Sequence, residues 1–127
     1  MVGAVCKRQM PVVGGGTGIW SFCEVTDAAA AVAHGAPGIY SVVDDDPAPV
    51  RDWLPYLAGC LGAKPPMRVP AWLGRLLAGP MAVMLMTEAR GASNAKAKRE
   101  LAWTPQYASW RDGFRDWAKT AGQAHAA

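Results

Sequence analysis

Ser93-Asn94-Ala95-Lys96-Ala97-Lys98-Arg99-Glu100-Leu101-Ala102-Trp103-Thr104-Pro105 is the stretch on which the reading of this chain turns. Ser93 or Asn94 offers a short side-chain oxygen to the free amides of a first helical turn, so a helix is expected from Ala95 to Leu101. Lys96, Lys98 and Arg99 make that helix basic, Arg90 lies just before it, and Glu100 interrupts the run. A nucleic-acid surface usually carries more basic residues with aromatics between them. A solvated face is therefore expected, and nucleic-acid binding is the weakest of the functional readings. Lys96, Leu101 and Trp103 read as cap and packing anchors.

Beyond this segment, Trp110, Phe114, Trp117 and Ala121 form one apolar stripe. Arg111, Asp112, Arg115, Asp116 and Lys119 fall on the wet side, which marks an amphipathic helix. Before it, helical segments are expected over Trp72–Leu77 and Met81–Glu88, separated by Gly79-Pro80. Val50, Trp53, Leu54, Leu57 and Leu61 recur at helical steps after Pro49, and Gly62 closes that helix. Ile19–Val25 alternates and Ile39–Val43 is a β-branched run, so each is expected to be a strand. Between them Thr26 or Asp27 can cap a helix over Ala28–His34. Residues 1–11 carry no clear pattern beyond a frayed helix end. Two strands cannot make a sheet of independent stability, so they must pair with something else, inside or outside this chain.

The chain has 127 residues, 51% of them apolar and 18% charged, with a formal net charge of +3. That composition predicts one folded domain over 1–127 with a real core, and argues against disorder. The size is small for an enzyme that must hold a dinucleotide and a substrate together. Cys6, Cys23 and Cys60 are few, odd in number and widely spaced, which suits reduced thiols better than a disulfide framework or a zinc site. The apolar run at the N-terminus is too short for a signal peptide. Arg75, Gly74, Gly79 and Pro80 interrupt the most apolar stretch, so no membrane span is expected and the localisation expected is cytoplasmic.

Motif arithmetic excludes several chemistries. From Gly14, a G-x-G-x-x-G pattern would need glycine where Ile19 stands, and from Gly16 where Ser21 stands. Gly14-Gly-Gly-Thr-Gly18 is better read as a flexible connector beside a site. No G-x-S-x-G and no Tyr-x-x-x-Lys is present. Asp44, Asp45 and Asp46 could hold a hard cation, yet three acids before Pro47 more often make a solvated turn, so no metal is expected. His34 and His125 lack ligand partners at useful spacing. No catalytic residue is assigned.

Three segments together resemble the C-terminal part of an extended short-chain dehydrogenase/reductase (SDR) of the NAD-dependent epimerase/dehydratase kind. Pro11 to Ala29 is similar to that family's glycine-rich connector, short strand and Val-x-Asp-Ala-Ala helix start. Gly38 to Pro47 is similar to its Tyr-Asn-Val strand and turn. Ser93 to Pro105 resembles Lys-Ala-x-x-x-Leu-Gly-Trp-x-Pro, with Ala102 in place of the glycine. The resemblance spans about residues 11–117.

It implies an α/β fold: the C-terminal segment of a Rossmann-type NAD(P)-binding protein, mostly helical with two or three short strands. It also implies that the nucleotide-binding motif and the Tyr-x-x-x-Lys belong to a half that this chain lacks. NAD or NADP would serve the full-length protein, and no cofactor would be bound by this chain alone. Arg90 occupies the place of a phosphate-gripping arginine in sugar-nucleotide members. Trp20-Ser21-Phe22 replaces the family's Arg-Asp-Phe, which points to a sugar-derived or more apolar small molecule contacted by Arg90, Trp20 and Ser21. The leading expectation is a substrate-binding segment, not catalytic as an isolated chain, with a missing N-terminal half or a second copy as partner. The competing one is a non-catalytic binding or interaction module, folded alone or as a dimer.

Overall fold

The computed structural model describes residues 2–125, with side chains from 3 to 121. In chain order the elements are α1 (Val2–Cys6), β1 (Val12–Val13), β2 (Ile19–Trp20), α2 (Val25–Ala33) and β3 (Ala48–Pro49). They continue with α3 (Val50–Cys60), β4 (Arg68–Val69), α4 (Ala71–Thr87), α5 (Ala95–Leu101) and α6 (Trp110–His125). The chain is thus mixed α/β and mostly helical, with short strands only. β1 pairs in parallel with β4, Val12 opposite Arg68, and β2 pairs antiparallel with β3, Ile19 opposite Pro49.

The glycine loop explains how these pieces meet. Gly18 lies so close to α4 that an added Cβ would stand 2.4 Å from the Leu85 carbonyl oxygen, so only glycine fits. The carbonyls of Gly16 and Gly18 accept the amides of Arg51 and Val50, each at 3.0 Å. These bonds satisfy free donors at the start of α3, where Pro49 has no side chain able to cap. Behind the loop, Trp53, Leu54 and Leu57 of α3 form the buried centre with Val12, Val13 and Val50. Trp53 anchors a ring cluster with Trp20 at 4.9 Å and Phe22 at 5.3 Å, and Phe114 of α6 packs 5.0 Å from Phe22.

The helical expectations agree with the structure over α3, α5 and α6. α4 runs through Gly79-Pro80, but Gly79 has φ 85° and ψ 167°, so two helical stretches meet at a kink there, as the glycine-proline pair predicts. The strand expectations need correction. Ile19–Val25 is a strand only over Ile19–Trp20, because the partner β3 is two residues long. Ile39–Val43 forms no strand; its Tyr40 and Val42 pack instead against a second core of Ala31, Ala97, Leu101 and Trp103.

Helix α2 begins earlier than expected. Glu24 is its cap, accepting from Thr26 N–H at 2.6 Å, with Thr26 Oγ1 also donating to that carboxylate. Asp27 is therefore not the cap. It sits in the first turn at 2% exposure and reaches across the molecule, accepting the amides of Gln106 at 2.8 Å and Tyr107 at 2.9 Å. Its backbone carbonyl accepts Trp103 Nε1–H at 3.0 Å.

Helix α5 ends at Ala102, which is left-handed with φ 49° and ψ 30°. A Cβ is strained in that conformation by roughly 1–2 kcal/mol, and glycine is not. Ala102→Gly is expected to stabilise the chain by about 0.5–1 kcal/mol, after the extra backbone freedom gained by the unfolded state is subtracted. Urea unfolding checks this; a lower midpoint would contradict the role given to Ala102.

Candidate functional site

The three consecutive acids have three different fates. The segment carrying them runs beside the connector, so Asp44 N–H donates to Phe22 O at 2.7 Å and Asp45 N–H to Ala108 O at 3.0 Å. Asp45 faces α5, where Lys98 Nζ contacts both its oxygens and the Asn94 amide donates at 2.6 Å. The Asn94 bond, helped by Lys98, holds the pKa of Asp45 below the usual carboxylate value. Asp46 faces α6, where Ser109 Oγ donates at 2.7 Å and Arg111 pairs at 2.5 Å.

Asp44 turns inward. It is 5% exposed, and neither carboxylate oxygen has a partner in hydrogen-bond geometry. Burial pushes its pKa up to about 6; the amides of Phe22, Asp46 and Trp110 offset part of that shift, and the charge of Asp46 adds to it. The solvated turn expected for these acids is thus corrected at Asp44. The cations that neutralise its neighbours are already engaged. Among the described residues, no group of three His, Cys, Asp or Glu could hold a metal ion.

Asp44 lines a cleft of about 420 Å³ between residues 22–25, which follow β2, and α6. Its apolar wall is Phe22, Val25, Leu57, Trp110, Phe114 and Trp117. Glu24, Cys23, Tyr107 and Ser109 complete the lining. Burial first, then the nearby carboxylates of Asp27, Asp44 and Glu24, raise the Cys23 pKa, which keeps it a thiol rather than a reactive thiolate. Asp116 first, then burial, raises that of Tyr107, so its phenol is no readier an acid than a free one. The arrangement can bind; it carries no activated nucleophile.

Arg90, Trp20 and Ser21 are brought together elsewhere. Ile19 forms a parallel bridge with Arg90, and Trp20 Nε1 donates to Leu85 O at 2.8 Å. Ser21 Oγ accepts from Ala92 N–H at 2.8 Å and lies 3.2 Å from Ala92 O. Trp20 and Ser21 thereby hold the segment 85–92 in place. Arg90 is exposed, on a more open depression with Met84, Leu85 and Glu88, and does not line the cleft that holds Asp44. His34 is exposed, and the reading of His125 falls on a side chain outside the described residues.

The sequence reading missed Asp44. A signal existed: in the extended segment Tyr40, Val42 and Asp44 share one face by alternation, and the first two are partly buried. The glycine loop does not fit a dinucleotide pyrophosphate. The amides of Gly14, Gly16 and Gly18 already donate to the carbonyls of Val69, Val13 and Met86.

Comparison with known proteins places this geometry in context. No family model matches the chain. It is 45% identical over 114 residues to a 3-diazoavenalumate denitrifying reductase from Streptomyces sp, covering 87% of this chain and 38% of that protein. It is also similar to a functionally unknown conserved protein from Silicibacter pomeroyi DSS, with a TM-score of 0.71 and 27% identity, over 88% of this chain and 42% of that one. The chain thus spans about two-fifths of the length of these two proteins. No helix among the described residues is long and apolar enough to cross a membrane.

Burial of Asp44 makes stability depend on pH. Below about pH 4 its carboxyl is protonated in both states, and above it only the unfolded chain ionises until the folded value near 6 is passed. Stability therefore falls as pH rises through this window and then levels. Asp44→Asn is expected to be more stable than the parent chain by on the order of 2 kcal/mol at pH 8, with the gap closing toward pH 4. Urea titrations at both pH values check this; a gap that widens in acid would contradict it.

Proposed function

We propose that this chain is the substrate-binding portion of an NAD(P)-dependent oxidoreductase of the extended SDR, epimerase/dehydratase-like kind. The nicotinamide is held by residues outside this chain, and this chain performs no hydride transfer by itself. The observation that carries the reading is 45% identity to a reductase across 87% of the chain. Three further features support it. The glycine loop is spent on internal carbonyls, which leaves it no role as a phosphate cradle. The paired strands are two residues long, and each lies at the edge of a two-stranded sheet. Helix α4 leaves Trp72, Leu76, Leu77 and Met81 more than 60% exposed.

An apolar surface of that kind on a helix normally meets another surface. In this reading the remainder of a longer polypeptide covers it. Substrate is a small molecule, and Arg90 is the one proposed direct contact retained from the sequence reading, since its guanidinium is free to meet an oxyanion. Trp20 and Ser21 act by fixing the segment that carries Arg90.

The test exchanges the matched segment of the Streptomyces reductase for this chain. The chimera is expected to bind NADH or NADPH and to consume it when supplied with the substrate of the parent enzyme. The isolated chain is expected to leave nicotinamide fluorescence unchanged. Tight binding of NADH or NADPH by the isolated chain would sink the reading, as would a folded chimera that binds neither.

A further inference from the structure

A buried carboxylate with no hydrogen-bond partner is costly, and native proteins keep such groups chiefly where a ligand or a charge completes them. Asp44 is close to such a group: nearby amides of Phe22, Asp46 and Trp110 offset only part of its burial, neither oxygen has a partner in hydrogen-bond geometry, and it opens on a volume rather than on packed side chains. Trp110 Nε1 is buried and unpaired as well, but so is Trp53 Nε1 in the core, and an indole donor would not be completed by a cation. The polar complement of the cleft is therefore incomplete at Asp44.

The charge of the lining selects among ligands. Glu24 and Asp44 are both in the wall, and among the described residues no lysine, arginine or histidine is. Lys98 and Arg111, the cations of the flanking helices that face this acidic run, are bound to Asp45 and Asp46. An anion such as a phosphate would be repelled. A cation would meet a carboxylate at one end, and its apolar body would pack among Phe22, Trp110 and Phe114 at the other. The volume of about 420 Å³ lies within the range that small-molecule sites occupy.

We propose that the cleft between residues 22–25 and α6 binds a small aromatic or arylalkyl organic cation, an amine or amidine, with its N–H on Asp44 and its apolar body among Phe22, Trp110 and Phe114. This site is distinct from the exposed Arg90 and stands on the cleft alone, whatever the larger protein catalyses.

Calorimetric titration of the 127-residue chain, first shown to unfold cooperatively, compares three probes of one shape: phenethylamine, 2-phenylethanol and phenylacetate. The amine is expected to bind at least about tenfold more tightly than the alcohol, and the acid not measurably. Asp44→Asn removes that preference and leaves the alcohol unaffected. Gly113→Leu places a side chain in the cleft from α6, where an added Cβ meets nothing within 4 Å, and abolishes binding of amine and alcohol alike. Its unfolding midpoint is expected to hold or rise, since leucine favours helix over glycine. No binding of the amine, equal binding of amine and alcohol, or an unchanged preference in Asp44→Asn would each overturn the proposal. The first of these is the result expected if polypeptide, rather than a small cation, fills the cleft.

Discussion

The carboxylate of Asp27 is the joint on which both halves of the site depend. Buried at 2% exposure, it accepts the amides of Gln106 and Tyr107, while its own backbone carbonyl takes the indole N–H of Trp103. Three residues 76 to 80 positions further along the chain, Trp103, Gln106 and Tyr107, are thereby locked to the first turn of α2. Hydrogen bonds to a charged acceptor are worth more than neutral ones, and losing one side of such a buried set leaves unsatisfied donors. The lock fixes where the chain leaves α5 and enters α6. It therefore fixes the position of Trp110 and Phe114, and with them one wall of the cleft.

The second constraint is the glycine loop. Because Gly18 has no Cβ, the connector can pass against the end of α4 while its carbonyls cap α3. One backbone segment thus ties α3, α4 and the short strands together without side-chain chemistry. The same closeness consumes the amides that a phosphate would need, so the resemblance of the loop to a nucleotide cradle stops at composition.

Much of the helical framework was legible in the residues. The stripes of α3 and α6 follow a period that only a helix satisfies, and Gly79-Pro80 marks the kink in α4 because proline cannot continue a hydrogen-bond ladder. What was not legible depends on distant partners. Asp27 looks like a cap locally, and only tertiary contact with Gln106 and Tyr107 reveals its other use. Ile39–Val43 has the composition of a strand but meets no backbone partner over its length, so it stays extended and packs by side chain. The acids 44–46 look equivalent in sequence and become different once α5 supplies Lys98, α6 supplies Arg111, and neither reaches Asp44. Arg90, Trp20 and Ser21 do converge, but on an exposed segment where Trp20 and Ser21 hold backbone in place.

The ligand account therefore rests on where charge is left unbalanced. Surface acids with cationic neighbours contribute little beyond solubility, whereas Asp44 faces an apolar cavity without one. The most direct measurement is a map of backbone amide NMR shifts during titration with phenethylamine. The account predicts shifts concentrated at residues 22–25, 44–46 and 107–117. Shifts centred on residues 84–92, around Arg90, would contradict it.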